Sequence, residues 1–364
     1  MGLFRRRGSI HVTAADVPLP PPDPIAIALA ALVAQRAAGI APSRGAAMRL
    51  SVVNRARDLI CGTIGTLPLT RTGPAGRPLD AGWLARPDPD HTAAYVESWT
   101  TDDLFFHGYA WWRVTARDPD TGLPAAIQWV PVVEARPVWD GVALAELHWY
   151  PRHRGGGGDL PAPVMIPAAD VVAFESPVTG VLSSGLDVLS IAMRLDLAAE
   201  RFAAVEMPAG WLKQTGGEPL TPAEADAQVA TWNSKRIANV TAYLGESIDY
   251  HESTIDPSRL QLVQARSYQD AATARVCNVP NYAVGVAVPG DSMTYRTAAT
   301  ARLDVIAFGI APFLACWSQT LSADNVSVPG VTVALDLEPF LQTALLADAP
   351  DRGLPAPAAP GGNP

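Results

Sequence analysis

Six histidines, three cysteines and two sets of neighbouring carboxylates are the side chains of this chain that could do chemistry. His148 and His153 flank a turn, but a metal there needs a third ligand that the local sequence does not offer, and His11, His91, His107 and His251 are scattered. They read as solvated or packed histidines. Asp102 with Asp103, and Asp249 with Glu252, could supply the two carboxyls of acid–base catalysis. Adjacent helical residues point apart, so a solvated helix face and a strand edge are expected instead. Cys61, Cys277 and Cys316 are far apart and odd in number, which excludes a CxxC pair or a closed disulfide framework and suits synthesis in a reducing compartment. The stretch "RHRGGGGDL" at 152–160 lacks the helix start and the Lys-Ser/Thr pair of a phosphate cradle and reads as a hairpin tip. "HGYAWWRV" offers flat faces for stacking, although strand alternation assigns half of its rings to a core. HExxH, Walker, GxGxxG and GxSxG patterns are absent from the sequence. The expectation is therefore no catalytic residue, no metal and no cofactor.

Composition narrows the remaining classes. With 48% hydrophobic and 17% charged residues over 364 positions, the chain can bury a substantial core. A formal charge of -9 and a pI near 5.1 argue against tight, sequence-independent nucleic-acid binding, which depends on neutralising phosphates. Lysine occurs only at Lys213 and Lys235. The apolar run "IAIALAALVA" at 25–34 follows a polar, Pro-rich stretch and is too short to span a bilayer, so no membrane partner is expected. Residues 1–24 and 349–364 read as disordered tails, and a short amphipathic helix is expected after the first.

Between the tails the order of elements is legible. "SVVNRARDLICGTIGTLPLTRT" reads as a helix leading into a strand, and Thr92 announces a second helix after the turn-forming "RPDPDH". Residues 108–174 carry short aromatic and β-branched runs between Gly, Pro and Asp turns, which predicts antiparallel hairpins. A long helix over 186–207 follows. Next comes a strand–helix–strand unit whose helix has Thr221 as N-cap, Pro222 first and Glu224 closing a capping box. A second long helix starts at Asp256-Pro257. A third runs from about Tyr295 to Leu321, with a kink near Phe308–Ala311 forced by Pro312 and helped by Gly309. The fold class is α+β. Between the last two helices, "VCNVPNYAVGVAVPGDSMTYRTAATARL" is apolar and punctuated by glycines, Gly285 and Gly290 giving it backbone freedom.

This order resembles the portal proteins of long-tailed double-stranded-DNA phages over about residues 48–325. "SVVNRARDLICGTIGTLPL" is similar to the family's opening helix and Leu-Pro-Leu strand. "LARPDPDHTAAYVESWTTDDLFFHGYAWWRV" resembles its Pro-Asn-Pro turn, Thr-started helix and Gly-Asn-Ala-Tyr strand, with Asp88 in place of Asn. "DVVAFESPVTGVLSSGLDVLSIAMRLDLAAERFAAVEMPAGWL" is similar to its lead-in, long helix and Pro-Gly exit. "LQLVQARSYQDAATARVCNVPNYAVGV" resembles its helix ending in Val-Pro-Pro, with Asn281 for the second Pro.

The resemblance implies a non-enzymatic subunit of a ring, commonly of about twelve copies, at one capsid vertex of the virion. That subunit would be made in the bacterial cytoplasm. DNA enters and leaves through the ring without sequence specificity. Implied partners are further copies of the chain, the terminase large subunit, a head–tail adaptor, and the major capsid protein or scaffold. It implies a mixed α/β wing over 25–185, stem helices at 186–207 and 256–277, and a small α/β clip at 208–255. A tunnel loop region at 278–294, the kinked wing helix at 295–325 and a reduced crown at 326–348 complete the implied layout. Val288, Pro289, Gly290, Asp291, Ser292, Met293 and Thr294 are then the loop residues expected to meet DNA, and Lys213, Gln214, Lys235 and Arg236 the clip residues expected to meet partners. Two other classes fit the residues: another virion structural or adaptor protein, and a soluble enzyme with 283–294 as a lid.

Overall fold

The computed structural model describes residues 42–151, 162–203, 210–237, 248–252, 262–286, 303–338 and 341. Short α1 (Arg44–Ala47) is capped by Ser43 and leads into α2 (Ser51–Ile64), which buries Val52, Ala56, Ile60 and Ile64 as an i, i+4 stripe with Val53 beside it. Strands β1 (Leu69–Thr72) and β2 (Pro78–Leu79) follow. Helix α3 (Ala93–His107) begins at Thr92, whose hydroxyl accepts from Tyr95 N, and ends at Gly108 with φ 83°, a left-handed stop that glycine takes without a Cβ clash.

Helix α3 lies at the centre of the core, buried on nearly every side despite carrying Glu97, Thr100, Thr101, Asp102 and Asp103. Three tryptophans make that possible. The Trp112 indole N–H donates to Thr100 Oγ1 (2.7 Å), Trp317 to Thr101 Oγ1 (3.2 Å) and Trp129 to Asp103 Oδ2 (3.0 Å). Thr100, Thr101 and Asp103 thus regain partners on leaving water, whereas Glu97 has none among the described residues. Trp112, Phe174 and Trp317 meet one another with ring centroids 4.7 to 5.4 Å apart, contacts worth about 0.5–1.5 kcal/mol each beyond their burial. Trp111 and Trp112 are both core, and Tyr109 stands exposed.

The strands pair antiparallel throughout. β3 (Tyr109–Arg117) is central between β4 (Pro124–Val130) and β8 (Val171–Glu175). β5 (Ala135–Asp140), β6 (Ala143–Trp149) and β7 (Val164–Pro167) form a second sheet. Pro131 divides what the sequence shows as one aromatic run into β4 and β5. The Gly-rich 152–160 segment, between paired β6 and β7, lies outside the described residues.

Short α4 (Val181–Ser184) precedes α5 (Leu186–Ala203), which packs along α7 (Leu262–Val276). Between these two helices in sequence, β9 (Gly210–Gln214) pairs with β10 (Ile248–Glu252), and Trp232 of α6 (Pro222–Ile237) stacks on Tyr250 at 5.0 Å. The capping box is present: Glu224 Oε2 accepts from Thr221 N, and Glu224 N donates to Thr221 Oγ1.

The last described strand joins the first sheet. Residues 326–335, within the 326–348 segment implied as a reduced crown, complete the first sheet. β11 (Thr332–Leu335) pairs with β1, Leu69 opposite Leu335, and Val326, Val333 and Leu335 join the main core. Burying that apolar face against α8 (Ala311–Leu321) and β1 outweighs leaving a lone strand exposed. The short helix expected after it falls almost wholly outside the described residues.

Candidate functional site

The two ends of the apolar loop are the best-defined part of the site. Helix α7 closes in a Schellman motif: Val279 N donates to Ala274 O (3.1 Å) and Asn278 N to Arg275 O (3.0 Å), with Asn278 left-handed at φ 55°. After Val279-Pro280, a 3-10 turn spans Asn281–Val284 and ends at Gly285 with φ 76°. The chain is described again from Leu303, where Tyr282 Oη donates to Asp304 Oδ2 (3.2 Å) and so ties the outgoing end of the loop to the returning one. A π-helical segment, Val305–Ile310, then precedes α8, and Pro312 lies in the first turn of α8. Proline has no N–H for the carbonyl four residues earlier, that of Phe308. The Asn278 side-chain amide donates to that carbonyl, so the cap of α7 also satisfies the break before α8. Gly309 approaches Val279 closely enough that an added Cβ would sit 3.4 Å from its Cγ1.

Behind the loop, α5 and α7 are held by Arg266–Asp196 (2.9 Å) and by Gln269 Nε2 donating to Val188 O (2.6 Å). At Gly185 a Cβ would lie 2.4 Å from Val276 Cγ1, so glycine permits this close crossing. Away from the crossing the pair exposes Leu197, Val263 and Tyr268.

Of the predicted site residues, the described ones are Lys213, Gln214, Lys235, Gly309 and Pro312, with Arg236 described in its backbone. Val288, Pro289, Gly290, Asp291, Ser292, Met293 and Thr294 lie outside the described residues, as do residues 1–41. Lys213 is exposed on β9, paired across the strands with Asp249. Gln214 organises its own turn, donating to the carbonyls of Gly216 and Glu218 and accepting from Leu220 N. Lys235 is exposed on α6. Arg236 is placed in that helix, but its side chain lies outside the described residues. Asn278, Tyr282 and Asp304 went unpredicted. The αL tolerance of Asn after a helix was a local signal for the first; the other two meet across 22 positions and had none.

The carboxylates expected on a solvated face behave otherwise. Asp102 is buried and accepts from Arg44 (2.6 and 2.8 Å) and Arg57 (2.6 Å), whose guanidiniums also stack over Trp99. Asp103 is buried too; burial, with the Asp102 charge adding to it, pushes its pKa up to about 8. Glu97 rises to about 8 through burial alone. The partners of Asp102 lie 45 and 58 positions away, which is why the sequence hid them. Burial also raises the thiols, Cys277 to about 12 and Cys316 to about 11, so neither supplies a thiolate nucleophile. His148 pairs with Glu146, and among the described residues no group of three His, Cys, Asp or Glu side chains could hold a metal ion. Among them, too, no helix is long and apolar enough to cross a membrane.

Comparison with known proteins supplies what local chemistry does not. A family model described as phage portal protein matches residues 51–349. Among curated proteins none matches the chain. Three of the solved structures that share its fold are the following. An HK97 family phage portal protein from Corynebacterium diphtheriae is 20% identical, with a TM-score of 0.66 over 83% of this chain and 99% of that one. A chain in the neck of an empty GTA particle computed with C6 symmetry is 16% identical, TM-score 0.58, over 85% and 88%. One in the neck of a native GTA particle computed with C12 symmetry is 16% identical, TM-score 0.55, over 82% and 84%. The matched residues 51–349 take in every element from α2 to β11, and on that span the chain belongs to the phage portal protein family.

Proposed function

We propose that this chain is the subunit of a ring at one vertex of a phage capsid, and that the ring forms the channel through which double-stranded DNA is packaged and later ejected. The observation that carries the reading is the family match across 51–349. Its role is structural and not catalytic, in keeping with buried, high-pKa thiols and with an Asp102–Asp103 pair taken up by arginines and an indole.

In this reading the α/β body with its kinked helix is the wing, now including β11. α5 and α7 are the stem, and β9–α6–β10 is the clip. The segment after Gly285 is the tunnel loop, its base fixed by Tyr282–Asp304 and Asn278. Exposure supports the assignment. Among the described side chains of α6, only Ala225 and Trp232 are even partly covered, and the stem leaves Val263 and Tyr268 open. Elements this poorly covered in one copy are suited to burial against the next copy in a ring. Related folds occur in particle necks computed with C6 and with C12 symmetry, which supports a cyclic assembly of about twelve copies. An acidic, lysine-poor chain suits a channel that must let DNA slide. The clip would meet the terminase large subunit and then the head–tail adaptor, and the wing would meet the capsid protein or scaffold.

Mass photometry with negative-stain imaging of the full chain tests this directly. Rings with a central hole near about 460 kDa, twelve copies of 38.4 kDa, are the expected result. A compact monomer or dimer that stays so across salt and concentration, and also in the presence of capsid protein, would overturn it.

A further inference from the structure

The second sheet, β5–β7, leaves the first at the turn Val132–Glu134 and rejoins it at the turn Ala168–Asp170. It rests on a small apolar core of its own, Trp111, Val130, Val132, Leu147, Ile166 and Val171, apart from the main core. That seat is not wholly favourable, because it buries the Trp111 indole N–H without a hydrogen-bond partner. Each turn is also tied to the body by a side chain. Arg117 of β3 holds the second turn, donating to Ala169 O and to Asp170 Oδ1. Asp103 of α3 holds the first, its buried Oδ2 accepting from Val132 N (3.3 Å) and from Trp129 Nε1 (3.0 Å).

The groups around Asp103 leave it as the one poised to change charge. Arg44 of α1 and Arg57 of α2, cations throughout, are taken up by Asp102 beside it on α3. Burial lowers the pKa of His107, one turn further along α3, and raises that of Tyr109 on β3, so both are uncharged between about pH 7 and pH 9. Glu134, on the turn itself, accepts from Trp149 Nε1 (3.2 Å). Asp103 is pushed up to about 8, by burial first and by the Asp102 charge second. Its ionised form has two N–H donors, no cation of its own and a carboxylate next to it, so reaching water relieves it. The bond to Val132, the longer of the two, is the weaker restraint.

We infer that Asp103 is a proton-operated latch on the second sheet: with its proton it holds the Val132 turn and the sheet stays seated on Trp111, and without it the turn is released and the sheet parts from the body. What moves is the sheet whose β5–β6 hairpin ends in the exposed Trp139 and Val142. The latch lies within one subunit and operates whether or not subunits form a ring. The seated sheet holds a proton that the parted one, with Asp103 in water near 3.8, releases. Parting is therefore rarest at low pH, grows by up to about tenfold per pH unit and levels off above about pH 8.

Hydrogen exchange of the full chain between pH 6 and pH 8, corrected for the intrinsic rate at each pH, tests the latch. Protection over 132–149 should fall by up to about fiftyfold across that range, and at pH 8 these amides should exchange faster than those of β3. Asp103→Asn, neutral at every pH and with an oxygen that can still accept both bonds, should remove the slope over 132–149. Glu97→Gln, which removes the other raised carboxyl of α3, should leave that slope in place and decides the matter even where Asp103→Asn does not fold. Protection over 132–149 that is independent of pH in the parent, exchange there no faster than in β3 at pH 8, a slope that survives in Asp103→Asn, or a slope lost in Glu97→Gln would each overturn the inference.

Discussion

Pro312 removes one amide from the helix it opens, and the result can be followed atom by atom. The Phe308 carbonyl loses its partner, the preceding turn widens to a π-helical segment, and the Asn278 amide takes the carbonyl up from the end of α7. Asn278 thereby does two things: it occupies the left-handed position that ends α7, and it joins α7 to the segment before α8. Asn278→Ala should cost about 2 kcal/mol, since it strains the left-handed φ and strands the carbonyl. Asn278→Gly keeps the turn relaxed and should cost only about 1 kcal/mol, for the lost amide. Urea midpoints of the two variants separate these effects: equal losses would mean that the left-handed φ carries no strain, and no loss in Asn278→Gly that the contact to Phe308 carries nothing.

Glu97 sets a pH dependence at the same scale. Its folded pKa, about 8, lies above the ordinary carboxylate value of 4.5, so the folded chain holds a proton that the unfolded chain releases. Its contribution is complete below about pH 4.5 and fades as pH rises toward 8, at a slope of up to about 1.4 kcal/mol per pH unit. Asp103, also raised to about 8, acts in the same direction. Urea midpoints between pH 5 and pH 8 should therefore fall with pH in the parent and fall less steeply in Glu97→Gln, with the variant the more stable at pH 8. Parallel slopes would show that Glu97 is ionised in the folded chain throughout.

Elements differ in how far local sequence foretells them. The start of α6 is written within four residues, Thr221-Pro222-Ala223-Glu224, because a capping box joins groups three positions apart. The stop of α3 at Gly108 is equally local. The setting of α3 is not: its run Thr100-Thr101-Asp102-Asp103 looks like a solvated face until Trp112, Trp129, Trp317, Arg44 and Arg57 arrive from elsewhere in the chain. The crossing of α5 and α7 depends on a contact of the same distant kind, at Gly185. Gly185→Ala would place a methyl 2.4 Å from Val276 Cγ1 and 2.8 Å from Val181 O, and should destabilise by about 1–3 kcal/mol. Hydrogen exchange should then rise first in the last turns of α7. Exchange unchanged there, with a midpoint at the parent value, would show that the two helices part without cost.

Across the whole molecule, β1 and β11 bring Thr70 and Ala334 together over 264 positions, so the body closes only when the last strand arrives. The described residues on either side of the segment after Gly285 are joined to each other by Tyr282–Asp304. Deleting 286–293 should accordingly leave the urea midpoint within about 0.5 kcal/mol of the parent and leave ring mass unchanged, while particles assembled with the variant package or retain less DNA. Rings that fail to form would move the loop from the channel to the subunit interface.

The sequence by itself determined whatever depends on neighbours a few residues apart: helix starts and stops, strand alternation, the break at Pro312 and the order of elements that resembles a portal protein. Turn chemistry, capping and hydrophobic period all act over one to four residues, and a single chain displays them in full. Only the tertiary structure decided that β11 belongs to the first sheet, that Asp102 is buried between two arginines, and that Asn278 caps the break before α8. Each of these joins groups that are distant in sequence, and their burial free energy exists only once the intervening chain has brought them together.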